Sequence, residues 1–80
     1  MRFSQSFTSD DMLLQTRYAY SGTLVQYIGY AEPQAGESDP LWLIVKFTYD
    51  SSNNVTKKTF ANASKAFNLI WTERAGYSYA

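Results

Sequence analysis

The chain has 80 residues, with 7 Lys and Arg against 7 Asp and Glu, and it contains neither cysteine nor histidine. This composition excludes disulfides, Cys/His zinc sites and a histidine base, and the zero net charge disfavours the basic surface that nucleic-acid binding requires. A single domain of this length buries only roughly 60–65% of the surface that its unfolded form exposes, so its stability depends on close packing or on association with other chains.

Residues 1–21 are predicted to form an N-terminal arm, because their apolar side chains follow no clear period of 2 or 3.6 residues. One interpretation is a loosely ordered terminus. The alternative is an arm that lies on a neighbouring subunit, since a disordered tail rarely carries so many apolar groups. The anchors of such an arm would be Phe3, Phe7, Met12, Leu13 and Leu14.

Two strands are predicted after the arm. The stretch TLVQYIGYA, residues 23–31, is rich in β-branched and aromatic residues, and Gly29 within it indicates a bulge or a close approach of the backbone. Residues 32–40 contain Pro, Gly, Ser and Asp throughout, which is typical of an exposed loop. The stretch LWLIVKFTYD, residues 41–50, has the length and apolar character of a buried strand.

Both faces of this second strand are largely apolar. Side chains in a strand point alternately to two sides, so one face carries Leu43, Val45, Phe47 and Tyr49, and the other carries Trp42, Ile44, Lys46 and Thr48. An apolar strand face left bare is an aggregation hazard. We therefore expect one face to pack inside the chain and the other to be buried against a partner.

A turn and two further elements complete the chain. Residues 50–54, DSSNN, predict a turn, and the more polar strand 55–61 then forms an antiparallel hairpin at an edge of the sheet. Spacing of three and four residues over 63–74 predicts an amphipathic helix that ends at Gly76. Its apolar stripe comprises Ala63, Ala66, Phe67, Ile70 and Trp71.

These elements predict an α+β fold with an arm (1–21) and a small β-rich domain (22–80). The domain would contain an antiparallel sheet or sandwich of three or more strands, with one C-terminal amphipathic helix covering one face. The other face would be an interface to which Tyr27, Tyr30 and Trp42 contribute together with the arm anchors.

The sequence offers no catalytic, cofactor-binding or metal-binding residues, and we expect a protein that is not an enzyme. The closest carboxylate pair, Asp10 and Asp11, lies in the polar arm, where nothing would desolvate it. We expect neither a signal peptide nor a membrane span. A small β-barrel that binds single-stranded nucleic acid by stacking bases on aromatic rings is an alternative that the charge balance disfavours.

A series of residues from Tyr27 to Tyr79 resembles small proteins encoded among the structural genes of tailed bacteriophages. The series begins with YIGYA at 27–31 and Pro33, continues with Trp42, Ile44, Lys46, Tyr49 and Asp50, and ends with Phe67, Ile70, Trp71, Arg74 and Ala75. The chain departs from the pattern at Phe60, where an indole is usual, and at Asn62 and Ala63, where a glycine and an acidic residue are usual.

The resemblance implies a structural component of a virion. Its partners would be further copies of the chain, larger capsid or tail proteins, or both, and it would require no cofactor. Decoration of the capsid is the favoured position, and a subunit of the tail, neck or fibre-attachment region is the alternative. The small contacts of such a protein are repeated many times in a symmetric particle, so each can be individually modest.

Overall fold

The computed structural model describes residues 14–80 as one antiparallel sheet with a short helix. The elements in chain order are β1 (Gln15–Ser21), β2 (Leu24–Ala31), β3 (Pro40–Tyr49), β4 (Val55–Phe60), β5 (Leu69–Ile70) and a 3-10 helix (Trp71–Gly76). Neighbouring strands pair in the order β1-β2-β3-β4, and β5 pairs with the start of β3. The prediction of a small antiparallel sheet is confirmed.

The first strand lies inside the range that the sequence assigns to the arm. β1 pairs with β2 from Gln15 opposite Ala31 to Ser21 opposite Leu24. Gly22 opens the tight turn between them with φ of 62°, a backbone angle that glycine adopts without steric cost. The sheet therefore begins at Gln15 rather than near residue 22.

The hairpin between β3 and β4 closes at the predicted turn. The Asp50 carboxylate accepts hydrogen bonds from the amides of Ser52 (2.9 Å) and Asn54 (3.0 Å). The hydrogen bond from the Asn54 backbone amide is the main reason that the pKa of the Asp50 carboxyl lies below its usual value. Asn53 has φ of 65°, which asparagine tolerates better than most residues.

The predicted amphipathic helix over 63–74 is wrong. Asn62 and Ala63 adopt left-handed φ angles of 54° and 51°, which end regular structure, and Leu69 and Ile70 instead pair with β3. Helical conformation is confined to the 3-10 helix, and Phe67, placed on the predicted apolar stripe, is 43% exposed. Pairing with β3 and burial of Trp71 override the local 3.6-residue period.

The loop 32–40 is held to the sheet by hydrogen bonds at several points. The Trp42 indole donates to the Gly36 carbonyl at 2.9 Å, and the Gln15 amide donates to the carbonyls of Glu32 and Ala35, each at 2.9 Å. Ala35 is buried in the core. Although most of this loop is exposed, as predicted, its backbone is fixed on one face of the sheet.

The core lies between the sheet and the C-terminal segment. Trp42 and Ile44 are fully buried, and the rings of Trp42 and Trp71 lie 5.9 Å apart. Trp71 occupies the space above Gly29, where a Cβ atom would come within 2.5 Å of the indole. Gly29 therefore marks a close approach, one of the two explanations that the sequence left open.

Candidate functional site

The strand registers divide the side chains of the sheet into two faces. Residues opposite each other in the ladder share a face, so Gly29 and Ile44 lie on one side, while Ile28 and Val45 lie on the other. We call the first side the core face, because it carries the buried Trp42, Ile44 and Ala31. The outer face comprises Thr16, Tyr18, Ile28, Tyr30, Leu43, Val45, Phe47, Lys58 and Phe60.

The C-terminal segment covers the core face. The indole of Trp71 packs on Gly29, and the ring of Tyr79 lies 5.6 Å from that of Tyr27. A bridge between Ala61 and Tyr79 fixes the end of the chain against the sheet. Arg74 then closes the edge of this layer, because its guanidinium lies 4.5 Å from the Trp71 ring and donates to the Trp71 carbonyl at 3.2 Å.

The outer face receives no comparable layer from residues 14–80. Both β5 and the 3-10 helix contact β3. The helix lies on the core face, because the ring of its first residue, Trp71, packs on Gly29. Val45, at the centre of the outer face, is 2% exposed, but Leu43 and Phe47 beside it on β3 are only half-buried. Tyr18 on β1 is 57% exposed. The outer face is therefore an apolar surface in which Val45 is buried and the residues around it are partly exposed.

Charge is nearly absent from the outer face. Lys58 is the one charged residue among its defined members, and its ammonium lies 5.7 Å from the ring of Phe60. By contrast, Arg17 points to the core face, where it pairs with Glu37 at 2.8 Å and lies 5.6 Å from the Trp42 ring. An apolar face of this kind suits contact with another protein surface better than contact with a charged ligand.

A shallow cleft opens where β2 and β3 separate. Their pairing ends at Tyr27 opposite Lys46, and beyond it the Tyr49 hydroxyl donates to the Val25 carbonyl at 2.6 Å. The cleft has a volume of about 320 Å³ and is lined by Ser21, Leu24, Gln26, Lys46, Phe47, Thr48 and Tyr49. Lys46 is the one charged residue in its lining.

The structure separates the residues predicted to form an interface. Tyr27 and Trp42 are buried on the core face, where packing against the C-terminal segment leaves them little surface, and their role in an interface stays a prediction. Tyr30 lies half-buried on the outer face, and Leu14 is half-buried just before β1. The other predicted residues, Phe3, Phe7, Met12 and Leu13, lie outside the described residues.

Several residues of the outer face are not among the interface positions predicted from the sequence. Leu43, Val45 and Phe47 were recognised as one apolar face, but the choice between the two faces of β3 required the position of Trp71. Tyr18 was missed because β1 was assigned to the arm. The alternation of tyrosines at 18 and 20 before Gly22 was the signal that could have revealed this strand.

No group of three or more potential metal ligands occurs among residues 14–80, and no helix within them is long and apolar enough to cross a membrane. The described strands form an open sheet rather than a closed barrel. Both tryptophan rings are buried, so neither offers a free face for stacking a base.

Comparisons of the chain with protein-family models, with curated proteins and with solved structures found no match.

Proposed function

We propose that the chain is a non-enzymatic structural component of a tailed-phage virion that assembles through the outer face and its N-terminal residues. The observation that carries the proposal is the one-sided sheet. The C-terminal segment packs on the centre of the core face, and the apolar outer face has no comparable layer from residues 14–80. A partner protein in an assembly would remove this surface from water.

The resemblance to small phage proteins supplies the setting for this assembly. Within that setting we favour decoration of the capsid, in which a small domain binds a pre-formed surface. A decoration protein needs an apolar contact surface, and the outer face would supply it. A tail, neck or fibre-attachment subunit would use the same outer face, so the position in the particle requires a genetic test.

The proposal is tested in the phage that carries the gene. Particles purified on a gradient are examined by mass spectrometry, and we expect the protein in a fixed ratio to the major capsid protein. Deletion of the gene should leave tailed particles that release their DNA more readily on heating. Heads without tails, or particles without fibres, would instead assign the alternative position. Absence of the protein from purified particles would overturn the virion proposal.

A further inference from the structure

The cleft between β2 and β3 reaches the core face, beside the part that the C-terminal segment covers. Lys46 lines the cleft and lies opposite Tyr27 in the ladder, so both side chains share the core face. Thr48 follows two residues later in β3 and points to the same side. The Lys46 ammonium lies 5.6 Å from the ring of Tyr79, so the cleft begins where the C-terminal segment ends its cover.

Lys46 is a half-buried cation that has no acidic partner among residues 14–80. The one ion pair in this range belongs to Arg17, and the carboxylate that follows β3, Asp50, is engaged by backbone amides of its own turn. A partly buried charge loses hydration, and the aromatic ring of Tyr79 replaces only part of what is lost. An anion in the cleft would supply the missing opposite charge.

The other residues around Lys46 suit a small anion with an apolar part. Lys57 lies opposite Thr48 in the ladder and adds a second cation on the same face. The lining also contains hydroxyl and amide groups that can donate hydrogen bonds to a carboxylate, from Ser21, Gln26 and Thr48. Apolar contact is available from Leu24, Phe47 and Tyr49. Apolar walls with a few convergent polar groups are typical of small-molecule sites.

We propose that the cleft binds a small organic monocarboxylate, whose carboxylate lies at the Lys46 ammonium and whose apolar body packs on Leu24. The cleft volume of about 320 Å³ is near the lower limit of ligand sites, so it admits a short aliphatic or single-ring acid. The single cation of the lining matches one negative charge better than the nearly two charges of a phosphate group. This inference goes beyond the proposed function and does not depend on it.

An NMR titration of the ¹⁵N-labelled full chain with sodium hexanoate tests the site, with chloride adjusted to keep the ionic strength constant. We expect saturable shifts of the backbone amides of Lys46 and Thr48 and of the side-chain amide of Gln26. Hexanamide lacks the charge and acetate lacks the apolar body, so each should bind at least about tenfold more weakly. The absence of saturable shifts, or equal binding of either control, would overturn the proposal. Tighter binding of inorganic phosphate would overturn the choice of a monocarboxylate.

Matched variants locate the charge that the ligand contacts. Lys46→Met removes the ammonium but keeps most of the side-chain length, and it should weaken hexanoate binding about tenfold or more, whereas Lys46→Arg should retain most of it. Lys58→Met is the control, because Lys58 pairs with Phe47 and points to the outer face. Circular dichroism checks that each variant folds. Equal binding by the Lys46→Met and Lys58→Met variants would overturn the site, and this result is independent of whether the protein occurs in virions.

Discussion

At the scale of single residues, one glycine and one tryptophan determine how the core closes. Gly29 lies in β2, directly below the indole of Trp71, and the Trp42 ring adjoins both. The sequence indicated a special role for Gly29, but the partner was unpredictable because Trp71 lies more than forty residues away. The local sequence indicates that position 29 needs a residue without a side chain, but it does not indicate which residue occupies the space.

Gly29→Ala should destabilise the fold by about 1–3 kcal/mol, because the added methyl group overlaps a ring that has no room to move. The Cβ atom would lie 2.5 Å from Trp71 and 3.1 Å from Trp42. Urea denaturation measures the effect. Gly76→Ala is the control, since a Cβ there meets nothing within 4 Å. Equal stabilities of the two variants would show that Trp71 does not occupy this space.

Tyr79 makes the fold sensitive to alkali. Burial raises the pKa of the Tyr79 phenol above its ordinary value of about 10, with a smaller contribution from Tyr27. A raised pKa in the folded state gives stability that is fully present below pH ~10 and is lost as pH rises further. The free energy of unfolding should therefore fall on titration above that pH.

Tyr79→Phe separates this effect from packing. The variant loses the hydrogen bond to the Arg74 carbonyl (2.6 Å), which should lower stability by about 1 kcal/mol at neutral pH. It should also lose part of the alkaline decrease, as followed by denaturant unfolding between neutral and high pH. An alkaline decrease as steep as that of the wild type would place the responsible phenol elsewhere.

At the scale of elements, the sequence predicted the strands correctly where they pair with a neighbour that is close in the chain. The hairpin of β3 and β4 has strongly β-forming strands around an Asn-rich turn, and both were recognised. The helix over 63–74 was mispredicted because its helical spacing is accidental, and pairing of β5 with β3 decides the conformation of Leu69 and Ile70. β1 was missed because an edge strand with Arg17 and Gln15 on one face lacks a clear apolar alternation.

Ala63 offers a test of this segment. Its φ of 51° is unfavourable for any residue with a Cβ, and left-handed conformation costs roughly 1–2 kcal/mol outside glycine. Ala63→Gly should raise stability by about 0.5–1 kcal/mol, after the greater chain entropy of the unfolded glycine variant is subtracted. Thermal and urea unfolding both measure it.

The control for this change is Ala66→Gly. Ala66 is exposed and is not among the residues with positive φ, so glycine there should only lower stability. If Ala63→Gly lowered stability as much as Ala66→Gly does, the left-handed turn at Asn62 and Ala63 would be incorrect.

At the scale of the whole molecule, residues 14–80 cover one side of the sheet and leave the other without a comparable layer, and the proposed assembly would cover that second side. An acidic residue on the outer face should therefore disrupt association without preventing folding. Phe47→Glu places a charge beside Val45, and we expect the dissociation constant of the self-complex to rise roughly tenfold or more. Analytical ultracentrifugation over a concentration series measures it.

Phe67→Glu is the matched control for this prediction. Phe67 is also a partly exposed phenylalanine, but it lies in the turn region before β5 and is not a member of the outer face. Its substitution should leave the dissociation constant unchanged. Equal weakening by both substitutions would indicate that the added charge, rather than its location, opposes association, and the outer face would lose its assignment.

The position of the indole pair gives the protein a built-in optical probe. Trp42 and Trp71 are the only tryptophans in the chain, and both are enclosed on the core face with centroids 5.9 Å apart. Their emission should shift to longer wavelength when the core opens and remain constant when outer-face contacts separate. Intrinsic fluorescence can therefore follow unfolding while light scattering follows dissociation, so the two equilibria can be measured in one sample without labels.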